Sequence, residues 1–304
     1  MKGDFMWCCE CKKQISTQYF SVGSGKLCCF FCLDSLPMCR VCGSEVWGKL
    51  DVSSNCERKI KYYRFDEIKE KMQHFGYEKL DVLFVGATGV GKSSTINRLT
   101  QQKKAVVGIG NDSETIQITD YYLHNNIRLW DTPGLGDVSH NDVNHADMIT
   151  NKLLSRIYPD VRWGLIDMVV IVLDASIRDM GTVFELLIKN IIPNIQDDNR
   201  IIIGLNLADV ADKALNFNHE KNEPNEKLND YLENKKLSVK KRIKDATGKN
   251  LSVIYYSAKT GYNVTKLLDA IIDNIPNRKR DLGNHYILAP NQIRRARIFG
   301  YHEV

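Results

Sequence analysis

Gly86-Ala87-Thr88-Gly89-Val90-Gly91-Lys92-Ser93 is the stretch on which the fold turns. It satisfies the phosphate-loop pattern G-x-x-x-x-G-K-[ST]. The residues before it, Asp81-Val82-Leu83-Phe84-Val85, are apolar and β-branched enough for a buried strand. Those after it, Ser94-Thr95-Ile96-Asn97-Arg98-Leu99, open a helix. Strand, Gly-rich turn and helix in that order make a cradle for an anion. Glycines let the backbone curl until successive N–H groups point inward, and the helix N-terminus adds partial positive charge. Residues 86–94 thus become the phosphate site. Lys92 brings a full charge to the outer phosphates and Ser93 a hydroxyl for Mg²⁺. A Gly-rich turn with no ligand is the plainer alternative, and the Gly-Lys-Ser ending argues against it.

Three later constellations extend the site. Ile127-Arg128-Leu129-Trp130 reads as a strand that delivers Asp131-Thr132-Pro133-Gly134. Asp131 is placed to order Mg²⁺, and the Gly134 N–H to sense the γ-phosphate. Ile201-Ile202-Ile203-Gly204-Leu205 reads as a strand ending in Asn206-Leu207-Ala208-Asp209. A carboxylate there can accept from guanine N1–H and the 2-amino group, a donor pair that adenine lacks. Leu251-Ser252-Val253-Ile254-Tyr255-Tyr256 precedes Ser257-Ala258-Lys259, whose backbone N–H groups are expected at the guanine 6-oxo group. Individually the last two are weak signals; their order and spacing make the set strong.

With these residues in hand, residues 79–276 resemble the translation-factor class of P-loop GTPases. Gly-x-Thr-Gly-x-Gly-Lys-Ser is similar to the Era-like, septin-like and immunity-associated members and to the 50S ribosome-binding GTPase type. The resemblance implies an α/β fold: a mostly parallel six-stranded sheet, helices on both faces, and nucleotide at the carboxyl ends of the strands. It implies GTP/GDP and Mg²⁺ as ligands, with Lys92 and a switch Thr as the catalytic pair. Thr115 is the first choice for that Thr and a further Mg²⁺ ligand; Thr119, inside the strand expected over 116–123, is the alternative. The chain departs from the pattern twice. Leu207 stands where the family has the Lys of Asn-Lys-x-Asp, and Leu135 where Ras-like enzymes carry a water-positioning Gln. Gly89 occupies the position of the Asn used by K⁺-dependent relatives. Asp137, His140, Asn141, Asp142 and His145 follow in the expected second switch. Slow hydrolysis, raised by a partner or by homodimerisation through this domain, is the resulting expectation. The alternative is a GTP-dependent assembly module with little turnover.

All nine cysteines lie within the first 56 residues. Cys8/Cys11, Cys29/Cys32 and Cys39/Cys42 are C-x-x-C pairs, each able to present two thiolates to one metal. Residues 1–60 are therefore expected to form a zinc module, first with Cys8, Cys11, Cys29 and Cys32 around one Zn²⁺. Cys39 and Cys42 open a second site that Cys56, Cys9 or Cys28 would complete, and a crossed pairing stays open. Disulfides are the alternative; the absence of an apolar leader after Met1 favours a reducing, cytoplasmic setting and zinc. Such a short module would depend on metal for its folding energy.

Residues 61–78 read as a linker helix that packs on the next domain. Residues 217–225 read as a surface loop and residues 231–244 as a charged helix. From residue 277 onward six cations face only Asp281 and Glu303, which reads as a solvated basic tail. Tail and zinc module are the candidate contacts for protein, RNA or ribosome. No run of about 18 apolar residues is present, so no transmembrane segment is expected.

Overall fold

The computed structural model describes residues 19–22, 26–29, 63–101, 117–124, 126–136, 141–157, 162–177, 181–214 and 216–283. Of the cysteine-rich segment it gives one antiparallel hairpin, Tyr19–Val22 against Lys26–Cys29, with Tyr19 opposite Cys29. Cys8, Cys11, Cys32, Cys39 and Cys42 lie outside the described residues, as does Thr115.

Alternation in the apolar runs decides the layering. In β1 (Leu80–Gly86), Leu80, Val82 and Phe84 enter one buried cluster, while Leu83 and Val85 enter the other. The strand is buried throughout, as a strand covered on both faces must be. β4 (Met168–Asp174) and β5 (Ile201–Asn206) divide the same way. With β2 (Thr119–His124), β3 (Ile127–Asp131) and β6 (Ser252–Tyr255) they form one sheet in the order β6-β5-β4-β1-β3-β2. Every pairing is parallel except β2 with β3. This is the mostly parallel six-stranded sheet that the resemblance implies.

One face is covered by α1 (Phe65–His74), α2 (Lys92–Thr100) and α6 (Val264–Asp273). The other is covered by α3 (Asn141–Leu153), α4 (Gly181–Leu186) and α5 (Glu226–Thr247). α4 runs into a wider π-type turn over Leu187–Ile191. α5 is longer than the charged stretch suggests, because Asn225 caps it by accepting from the Leu228 N–H at 3.0 Å and Gly248 ends it with φ 74°. The expected loop at 217–225 carries a small hairpin, Phe217–Asn218 with Glu223–Pro224.

α1 lies within the stretch 61–78, and it is tied to the domain. Ile68 and Met72 are buried in the core. Asp269 Oδ1 accepts from both Tyr63 Oη (2.8 Å) and Arg64 Nη1 (2.9 Å), and Lys71 donates to the Ile272 carbonyl at 3.1 Å. Arg64→Ala removes one arm of this tether. Because the pair is partly exposed, the expected loss is about 1 kcal/mol. It would be read as a lower urea midpoint with an unchanged slope.

Residues 278–283 correct the reading of a solvated tail. Lys279 donates to Asp167 (2.5 Å) and to the Lys79 carbonyl (2.8 Å); Arg280 and Leu282 are buried. A buried carboxylate and a backbone carbonyl receive the Lys279 ammonium and the Leu153 carbonyl receives Arg280, while Arg278 stays exposed. Residues 284–304 lie outside the described residues.

Candidate nucleotide site

β1, β3 and β5 all end at one edge of the sheet, and the predicted motifs meet there. Gly86 closes β1, where a Cβ would collide with the Val172 carbonyl of the neighbouring strand. Gly91 adopts φ 87° with its Cα against the Asn206 amide, leaving no room for a side chain. The loop between them delivers Lys92 at the first turn of α2. Lys92 is 6% exposed and its Nζ donates to the carbonyls of Ala87 (2.9 Å) and Gly86 (3.2 Å), so the ammonium is held beneath the loop it would serve.

Ser93 Oγ donates to Asp131 Oδ2 at 2.6 Å. Asp131 is buried and its other oxygen, Oδ1, has no hydrogen-bond partner. Burial pushes its carboxyl pKa up, against the opposing pull of Ser93 and Lys92. A buried carboxylate with a spare oxygen beside a serine hydroxyl fits a small divalent cation.

Asp131-Thr132-Pro133-Gly134 then runs across the phosphate loop. Leu135 N–H donates to the Gly86 carbonyl at 3.1 Å, and Thr88 N–H to the Leu135 carbonyl at 3.0 Å. Gly134 lies so close to Thr88 that a Cβ would overlap its backbone. Leu135 is buried and offers no polar group to water. His145 Nδ1 sits 3.0 Å from the Gly134 carbonyl, which brings this second-switch residue against the motif.

The base end is built from two loops. Asp209 has no exposed surface, and neither carboxylate oxygen has a hydrogen-bond partner. Leu207 precedes it at φ 64°, an uncommon left-handed conformation for a branched residue. Asn206 acts as a brace: Nδ2 donates to the Val90 carbonyl (2.8 Å), while Oδ1 accepts from the Ala258 N–H (2.9 Å). One side chain thereby joins the phosphate loop to both base loops. The amides of residues 257–258, predicted to face guanine, are already engaged, Ser257 with the Tyr262 carbonyl and Ala258 with Asn206. Lys259 is exposed at the tip.

Arg98 and Tyr256 belong to the same frame and were not singled out from sequence. Arg98 Nε donates to the Ala258 carbonyl at 2.9 Å, and Nη2 to that of Lys259. The Tyr256 ring fills the space over Gly204, and its hydroxyl lies 2.8 Å from Thr95 Oγ1, which donates to the Gly91 carbonyl. A glycine inside the β-branched run 201–205 was the available hint, since such a glycine marks close approach. Tyr256→Phe is expected to cost about 1 kcal/mol in stability by losing that bond. It should also weaken nucleotide binding a few-fold, measured by denaturant melts and by titration.

Residues 81–207 match the 50S ribosome-binding GTPase family. This is a P-loop GTPase domain. GTPases of this class cleave GTP to GDP and phosphate. Over 104 residues, 32% of its length, the chain is 34% identical to an uncharacterised GTP-binding protein of Methanocaldococcus jannaschii. Over 59 residues, 19% of the chain, it is 39% identical to the probable GTP-binding protein EngB of Clostridium kluyveri. The matched stretches span 26% and 30% of those relatives. Toc33 of Arabidopsis thaliana, solved with GDP and Mg²⁺, superposes with a TM-score of 0.52 at 17% identity, covering 73% of this chain and 94% of that one. The shared feature there is the fold. Among the described residues no helix is long and apolar enough to cross a membrane. No group of three or more His, Cys, Asp or Glu side chains among them could hold a metal.

Proposed function

We propose that the protein binds GTP with Mg²⁺ and hydrolyses it to GDP and phosphate as a molecular switch. The observation that carries this reading is Asp209, a buried carboxylate without a hydrogen-bond donor at the end of β5. A buried acceptor of this kind is costly until a ligand supplies donors. Guanine offers two, at the spacing of a carboxylate. The phosphate chain would lie along the backbone amides of residues 86–94, with Lys92 leaving its carbonyls for the outer phosphates. Ser93 and Asp131 would hold Mg²⁺, which neutralises charge on the phosphate oxygens. Gly134 and Leu135, hydrogen-bonded to the phosphate loop without ligand, would yield that position to a γ-phosphate. The Lys259 amide is assigned to the guanine 6-oxo group, and Thr115 to the Mg²⁺ and γ-phosphate.

Titration of the purified chain with GTP and ATP in Mg²⁺ tests the assignment. GTP preference is expected; equal affinity for ATP, or no affinity for GTP at millimolar levels, overturns it. Phosphate release is expected to be slow and to rise with protein concentration, since the second switch shows no water-positioning amide at Leu135. Buried Leu135 also favours a second reading, a GTP-dependent assembly module with little hydrolysis. A single-turnover rate no faster than spontaneous GTP hydrolysis would select it. In either case we assign the cysteine-rich segment a zinc-binding role in docking to protein or ribosome, in the cytoplasm.

A further inference from the structure

At the opposite edge of the sheet, where β1, β4 and β5 begin, lies a cleft of about 630 Å³. Its walls include Arg162, Arg200, Arg278, Lys279 and Arg280, against Asp197 and Asp281. Most of these charges are matched. Arg162 pairs with Asp281, Arg200 lies 3.5 Å from Asp197, and Lys279 meets Asp167 at 2.5 Å. The Arg200 guanidinium is further committed to the carbonyls of Asp167 (3.1 Å) and Arg278 (2.7 Å).

Two guanidiniums have no carboxylate within ion-pair distance among the described residues: Arg278, which feels Asp281, and Arg280, which feels Asp167. Arg278 is exposed. Arg280 is only 7% exposed; its Nη2 donates to the Leu153 carbonyl and its Nε has no acceptor. Gly164 lies against this guanidinium, and a Cβ there would stand 3.3 Å from Nε. Burial and the neighbouring Arg200 bring the Arg280 pKa down to about 10, which leaves it charged at neutral pH. Asp167 offers Arg280 a partial counter-charge but is already paired with Lys279, so the cleft keeps an excess of positive charge. Guanidinium donors match phosphate oxygens in geometry and charge. The volume exceeds what a bare phosphate needs and suits a small organic ligand. Trp163, 38% exposed and bridged through its backbone to Asp281, stands at the rim with the Arg162 guanidinium 5.3 Å from its ring centroid and one ring face left for a ligand.

We propose that this cleft is a second anion site that binds a small phosphate ester, clamped by Arg278 and Arg280 and resting on Trp163. It lies at the far end of the strands from the phosphate loop, so the two sites can be separated by mutation.

Pyrophosphate is the probe, titrated calorimetrically into the full chain carrying Lys92→Ala, with the weakened phosphate loop filled by saturating GDP and Mg²⁺. One pyrophosphate per chain is expected. Adding Arg278→Ala should weaken binding about 10-fold or more, the loss of one charge-assisted contact. Adding Arg280→Met should abolish it. Arg278 is exposed, so Arg278→Ala decides the matter should Arg280→Met fail to fold. No binding to the Lys92→Ala chain, or binding indifferent to Arg278→Ala, overturns the proposal.

Discussion

Asp209→Asn is expected to lower GTP affinity by about 10²- to 10⁴-fold and to create affinity for XTP. The range follows from two hydrogen bonds to a charged acceptor at about 1.5–3 kcal/mol each. The reasoning is stereochemical. Asp209 accepts at both oxygens; asparagine replaces one acceptor with a donor, which faces the N–H of guanine but pairs with the 2-oxo group of xanthine. The variant should fold, because the side chain is isosteric and neither oxygen has a protein partner to lose. Removing a buried charge that lacks a donor should even raise the stability of the nucleotide-free protein. That pair of outcomes is distinctive. A structural carboxylate would give a less stable variant with unchanged nucleotide choice. Competition of GTP, ATP and XTP against a fluorescent guanine nucleotide reads the first effect, and a thermal melt without ligand reads the second. An unchanged GTP preference would remove Asp209 from the base site.

The frame around this residue shows which parts of the molecule were legible in advance. The strands ending at Gly86, Asp131 and Asn206 were, because each is a short apolar run beside a motif whose chemistry is local. The role of Asn206 was only half legible. Its position in the base motif suggested a contact with guanine, whereas its amide bonds Val90 and Ala258, which lie 116 and 52 residues away in sequence. Chain-distant bonds of that kind leave no trace in spacing. The same holds for Arg98, which reaches carbonyls 160 residues on, and for Lys279, whose partner Asp167 sits 112 residues earlier. Composition assigned residues 278–283 to water because it counts charges and not the carbonyls that receive them. Leu207 is the converse case. Its substitution for Lys was visible, but its left-handed backbone was not, since nothing in a Leu codes for positive φ.

Lys92→Ala is expected to reduce single-turnover GTP cleavage by about 10³-fold or more, a loss of about 4 kcal/mol of transition-state stabilisation. The variant removes the one full charge that the loop can direct at the outer phosphates. What the structure adds is the resting place of that charge. The Lys92 ammonium is 6% exposed and held by the Gly86 and Ala87 carbonyls, while Gly134 and Leu135 pack across the same loop. Truncation therefore has two consequences of opposite sign for binding. Affinity for the triphosphate falls with the lost charge. The cost of pulling the ammonium off its carbonyls on ligand entry disappears with it, so binding should suffer less than catalysis. GDP, which lacks the γ-phosphate, should lose less affinity than GTP. Rapid-quench measurement of phosphate formation, alongside equilibrium titration with both nucleotides, separates the three quantities. If Lys92→Ala cleaves GTP at the parent rate, Lys92 is a brace for the loop alone, and the charge that acts on the γ-phosphate must come from another residue or another chain.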